Sequence, residues 1–183
     1  MANVAISGDT SGAVTLTVPA TAGTQTVTFP AATGTAMVSG NMPAFAAYSN
    51  TNQTISNSTL TKVALNAETF DTANCFDSTT NYRFTPTVAG YYQINAGIYF
   101  AGTAMTNIQL YIYKNGSQIF TNLVAGGISV TDFTIQHASL VYLNGSSDYV
   151  ELYGYSSAAS GNKFNGGTNP CGTYMSGSLV RAA

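Results

Sequence analysis

From Tyr92 to Phe100 apolar and polar positions alternate. Tyr92, Ile94, Ala96, Ile98 and Phe100 fall on one side, and Tyr91, Gln93, Asn95, Gly97 and Tyr99 on the other. A period of two lays an apolar row along one face of a β-strand and directs that face to a core. Just before this run Thr85, Pro86 and the Ala89-Gly90 pair break the pattern, as expected where a chain turns, because proline lacks a ladder donor and glycine tolerates positive φ. Related alternations predict strands over 44–49, 61–66, 82–85, 91–101, 107–114, 118–123, 134–143, 148–155 and 173–181, separated by turn clusters such as Lys114-Asn115-Gly116-Ser117 and Asn144-Gly145-Ser146-Ser147. No segment shows a 3.6 period. Short, evenly spaced strands with Gly and Asn turns predict an all-β sandwich or jelly roll.

The second faces of these strands carry tyrosine. Opposite Ile94, Ala96 and Ile98 stand Tyr91 and Tyr99; opposite Ile108, Leu110 and Ile112 stand Tyr111 and Tyr113; opposite Val150 and Leu152 stand Tyr149, Tyr153 and Tyr155. A solvent face would favour Lys, Glu and Thr, so Tyr91, Tyr99, Tyr111, Tyr113 and Tyr153 are the candidate face for contact with another subunit. The plainer alternative is a scatter of exposed tyrosines, which surfaces tolerate.

The first forty residues read differently. TLTVPATAGT at 15–24 is echoed by TVTFPAATGT at 26–35, a repeat of eleven residues with the pattern T-x-T-x-P-A-x-x-G-T. Val14, Leu16 and Val18, then Val27 and Phe29, form a phased apolar row ended each time by proline and a Gly turn. Two or three such strands leave that face uncovered, so another copy or another protein must cover it. We therefore divide the chain into an attachment or trimerisation arm, 1–41, and a main domain, 42–183. A flexible Ala/Thr/Gly linker is the alternative, and it leaves the phased row unexplained.

The residues Phe76, Asp77, Phe84, Gly90, Tyr92 and Ile94 carry a resemblance to the signature of the C1q/TNF-like globular heads. It extends to an opening strand at 43–47, a second at 62–66, the IQLYIYKNG run at 108–116, the D-x-V-x-L pattern with Val150 and Leu152, and a closing S-G-x-L strand with Gly177 and Leu179. Phe76 stands one residue further from Phe84 than the pattern has it, which leaves the loop 68–81 unassigned. The resemblance implies a ten-stranded jelly-roll sandwich that assembles as a compact trimer, with Phe45, Phe76, Phe84, Gly90, Tyr92, Ile94, Val150, Leu152, Gly177 and Leu179 as its structural core. The T-x-T-x-P-A repeat of the arm, in turn, resembles segments of tailed-bacteriophage structural proteins.

Charge narrows the function. Charged residues make up 7% of the chain, against about 25% in ordinary soluble proteins, and a net charge of -2 offers no footprint for phosphates, so no nucleic-acid partner is expected. The start MANVAISGDTSG has no basic residue and no continuous apolar core, which predicts no signal peptide and a protein made in the host cytoplasm. No apolar run approaches 18 residues, so no membrane-spanning segment is expected. N-x-S/T triplets at Asn52, Asn57, Asn115 and Asn144 read as turn composition.

Chemistry is sparse. His137 is the only histidine and lies in an alternating strand run, there is no G-x-S-x-G elbow, and no Gly-rich loop is followed by Lys-Ser/Thr. Cys75 and Cys171 match no zinc spacing and read either as one disulfide or as two free thiols. Glu68, Asp71 and Asp77 lie near one loop, but their spacing fits no EF-hand. The expectation is a non-enzyme with no cofactor and no metal. Two functions remain. One is a homotrimeric virion surface protein, a capsid decoration or head-fibre subunit, whose arm binds the major capsid protein or another virion structural protein. The other is a binding module, the receptor- or glycan-binding knob of a tail fibre or a C1q/TNF-type ligand.

Overall fold

The computed structural model describes residues 4–7, 10–17, 19–21, 23–24, 26–28, 31, 37–38, 40, 42–167 and 172–183, with the backbone alone at Val4 and 127–129. The chain falls into two units, Met1–Gly34 and Thr35–Ala183.

In the first unit β1 (Val4–Ser7) pairs antiparallel with β2 (Ala13–Leu16), placing Val4 opposite Leu16 and Ile6 opposite Val14. Gly12, at φ 78°, helps turn the chain between them, and closing so short a loop restricts the chain little. The strand pairing is thus local. Residues 26–28 of the second repeat form no strand, although the repeat predicted one, and Val27 is exposed. Val18 and Phe29 lie outside the described residues.

The second unit contains β3 (Ala44–Tyr48), β4 (Gln53–Thr54), β5 (Thr61–Lys62), β6 (Ala67–Asp71), β7 (Phe76–Asp77), β8 (Arg83–Phe84), β9 (Ala89–Lys114), β10 (Ser117–Asn144), β11 (Val150–Ser157), β12 (Ser160–Phe164) and β13 (Tyr174–Ala182). Its pairings are antiparallel. Four expected strands, 91–101, 107–114, 118–123 and 134–143, are two long ones, because β9 and β10 run as one hairpin through the break in alternation at 102–106. Ala104 there has φ 51°, and the register slips between Ala125 and Asp132. Such irregularities bend a strand pair.

The bend lets one hairpin serve two layers. Residues 90–97 of β9 pair with β13, which pairs with β3 and through it β6. Residues 107–114 of β9 pair with β11, which pairs with β8 and through it β7. We call these the first and second sheets. β10 is the last strand of both on one side, while β6 and β7 are the last strands on the other. The short β5 pairs with β11, and β12 links β4 to β9.

Between the sheets the Phe45 ring, from the first, stacks at 4.3 Å on Phe84 and at 4.9 Å on Phe76, both from the second. Tyr92 meets Phe84 edge-on at 5.4 Å and donates its buried hydroxyl to the Val88 carbonyl at 2.6 Å. Ile94, Val150, Leu152 and Leu179 complete the same buried cluster. A fully buried side chain of this size contributes roughly 1.5–3 kcal/mol. Two signature glycines are required by close approach. A Cβ on Gly90 would come within 2.4 Å of the Arg181 carbonyl oxygen, and one on Gly177 within 2.9 Å of the Phe45 ring.

Candidate functional site: two outer faces and two edges

The five candidate contact tyrosines do not form one surface. Tyr91 and Tyr99 lie on the outer face of the first sheet, and Tyr111, Tyr113 and Tyr153 on that of the second, because β9 crosses from one sheet to the other between them. Identical alternation before and after the bend therefore serves opposite sides of the molecule.

On the first sheet, register places Tyr91, Gln93, Asn95, Gly97 and Tyr99 beside Tyr142, Leu140, Ala138, Gln136 and Thr134. None of these ten residues is charged, although Arg181 of β13 stands beside Tyr91 and Lys114 Nζ lies 5.6 Å from the centre of the Tyr142 ring. Tyr91 and Tyr142 meet at 5.5 Å, and Tyr91, Leu140 and Tyr142 are 46%, 56% and 42% exposed. Phe70 on β6, opposite Ala46 of β3, adds another exposed ring.

The outer face of the second sheet is knitted together. Tyr113 packs on Tyr153 at 4.5 Å and on Tyr111 at 6.4 Å, and the Tyr111 hydroxyl donates to Gln109 Oε1. Glu151, buried beneath them, accepts from Lys62 Nζ at 2.5 Å. Burial, reinforced by the negative charge of Glu151, pushes the Tyr153 phenol pKa up. At one end Arg83 lies over the Tyr149 ring at 4.3 Å. At the neighbouring turn Lys114 pairs with Asp148 at 2.8 Å, and with the Asn115 side-chain amide it holds the Asp148 carboxyl below its usual range.

At the β10 edge His137 points inward. Its Nδ1 is 3.1 Å from Asn122 Oδ1 and its ring 5.1 Å from Phe120. His137 Nε2 and Ser139 Oγ are buried without a hydrogen-bond partner among the described residues, and burial pushes the imidazole pKa down.

At the opposite edge the loop carboxylates are committed. Asp77 accepts the backbone N–H groups of Thr79, Thr80 and Asn81 as well as the Asn81 amide, led by Thr80 in holding its pKa far below the usual value. Asp71 accepts the N–H groups of Phe76 and Ala73. Of the three carboxylates near this loop, Glu68, Asp71 and Asp77, two are thus consumed by their own turns. Among the described residues no three His, Cys, Asp or Glu side chains converge as metal ligands. Cys75 is a buried free thiol whose pKa is raised by burial, and Cys171 lies outside the described residues.

An all-β sandwich whose two sheets share one bent hairpin has close counterparts among solved structures. The chain superposes on murine APRIL at pH 8.5 with a TM-score of 0.57 and 10% identity over 76% of this chain and 99% of that one. On Eiger TNF from S. frugiperda the TM-score is 0.59 with 11% identity over 78% and 95%. The fold is a TNF-like jelly roll. No family model and no curated protein matches the sequence.

Proposed function

We propose that this chain is a non-enzymatic virion surface protein, a capsid decoration or head-fibre subunit, in which three jelly-roll heads associate and the N-terminal arm fixes them to a capsid or other structural protein. The observation that carries this reading is where the exposed apolar side chains gather in a chain with so little charge. One group, Ile6, Val14 and Leu16, lies on the β1–β2 hairpin; the other, Tyr91, Leu140 and Tyr142, lies on the first sheet. Faces of large side chains that carry few charges suit permanent contacts, since charge is depleted from interface cores and tyrosine enriched there. The trimer is the assembly implied by the C1q/TNF-like signature, and the virion setting follows the T-x-T-x-P-A repeat. Three arms on one assembly would hold it through multivalency even if each docks weakly.

Deleting residues 1–41 tests the reading. The truncated protein is expected to stay folded and self-associated while losing incorporation into particles, and Leu16→Ser with Phe29→Ser should reproduce the loss at full length. Truncated protein that still occupied purified particles fully would move attachment to the jelly roll.

A further inference from the structure

The edge opposite β10 holds a cleft of about 550 Å³ where β6 and β7 leave the sandwich open. Such a volume lies within the roughly 300–1,000 Å³ usual for ligand sites. Its walls include Glu68 from β6, Asn74 and Ser78 from the loops flanking β7, and Arg83 from β8. Asp77 also lines it but is committed to its turn. Arg83 has no carboxylate within ion-pair distance among the described residues, and Glu68 likewise has no cation. In a chain with five basic and seven acidic residues, a guanidinium and a carboxylate facing one cleft without pairing leave strong hydrogen-bonding groups unspent.

We propose that this cleft binds a neutral sugar residue of a glycan, with Glu68 accepting from ring hydroxyls and Arg83, Asn74 and Ser78 donating to them. Two carboxylates against one guanidinium disfavour an anionic ligand. The open, polar walls do not suit an apolar one. A sugar offers vicinal hydroxyls that both donate and accept, which matches a carboxylate beside a planar guanidinium fork. The Tyr149 ring beneath Arg83 holds the fork in place, which reduces the ordering cost of binding. This site is built from β6, β7 and β8 and shares no residue with the first-sheet face of Tyr91, Leu140 and Tyr142, so it goes beyond the attachment reading.

The full-length protein should be applied to a printed array of neutral galactose-, glucose-, mannose- and N-acetylglucosamine-terminated oligosaccharides alongside sialylated and sulfated ones. The strongest neutral ligand should then be titrated calorimetrically. We expect binding to neutral glycans, weakened about tenfold or more by Glu68→Gln and by Arg83→Gln, with Asp132→Asn, at an exposed carboxylate on β10 outside the cleft, as an unaffected control. Glu68 is exposed on an edge strand, so Glu68→Gln should keep its melting temperature and is decisive even if Arg83→Gln folds poorly. A silent array, a preference for anionic glycans, or affinity unchanged in Glu68→Gln would overturn the proposal. So would preferential capture of a basic peptide, which would assign the cleft to a protein partner. Particle incorporation is not measured here, so a negative outcome leaves the attachment reading standing.

Discussion

On the outer face of the first sheet Tyr91 and Tyr142 meet at 5.5 Å with nearly half of each side chain in solvent, beside an exposed Leu140. On the second sheet Tyr113 and Tyr153 pack at 4.5 Å over Glu151, which is 5% exposed and tied to Lys62. Both faces are tyrosine-rich, and they differ in what surrounds the rings. Where ion pairs and neighbouring tyrosines cover the sheet, the face is already satisfied within one subunit. On the first sheet Lys114 Nζ lies 5.6 Å from the centre of the Tyr142 ring and Arg181 stands beside Tyr91, but the other neighbours are Gln, Asn, Ala, Thr and Leu, and the half-exposed rings remain available to a partner. Tyrosine content alone therefore does not mark an interface.

The largest expected effect destroys the distinction altogether. Phe84→Ala removes the ring that joins Phe45 to Tyr92 across the sheets, and should cost about 3–5 kcal/mol, a large part of a typical domain stability of roughly 5–15 kcal/mol. Urea titration measures it, and an unchanged midpoint would contradict the packing described. Next, Leu140→Asp with Tyr142→Asp places two charges on the first-sheet face. Association should weaken by at least about 2 kcal/mol, roughly 30-fold, without loss of fold, whereas Tyr113→Ser with Tyr153→Ser should leave the oligomer intact. Light scattering after size exclusion distinguishes these outcomes, and equal effects from both pairs would erase the difference between the faces.

A smaller effect sharpens the contrast from the other side. Glu151→Gln should cost about 1–3 kcal/mol in folding, moderated because Lys62 retains access to water, and should not change the oligomer. Thermal melting at fixed protein concentration reads it.

The smallest effect is acid sensitivity at the shared β10 edge. The folded His137 imidazole holds a proton less well than the unfolded one, so the unfolded chain binds more protons around the ordinary value of 6.5. Stability therefore rises with pH through that region and falls on acidification below it. Asp77 and Asp148, whose folded pKa values are depressed, add losses in the same direction only as pH falls below their ordinary value of 3.8. Urea midpoints between pH 7 and 5 should decline for the native chain and stay flat for His137→Leu; a decline of equal slope in the variant would exclude His137 as the cause.

The core could be read directly from the chain. The alternation from Tyr92 to Phe100, Gly90 before it, and the Phe45, Phe76 and Phe84 landmarks all mark positions that are buried between the sheets, because a period of two assigns each side chain to one face wherever a strand runs straight. Strands β6 and β12 could not be read this way. AETFD and SGNKF have no apolar alternation, and β6 is an edge strand paired on one side only, so neighbours rather than its own pattern hold it.

Local patterning dictated all-β structure, the apolar row of each strand and the glycines where backbones approach, since these follow from side-chain period and sterics within a few residues. It could not say that 102–106 is a bend rather than a turn, because Gly and Thr suit both and the outcome depends on β11 and β13 pairing with different halves of β9. That bend sends Tyr91 and Tyr111 to opposite faces. It likewise took the closing of two sheets to bring Glu68 of one and Arg83 of the other to a single cleft, a proximity set by long-range packing to which neither residue's neighbours in sequence contribute a signal.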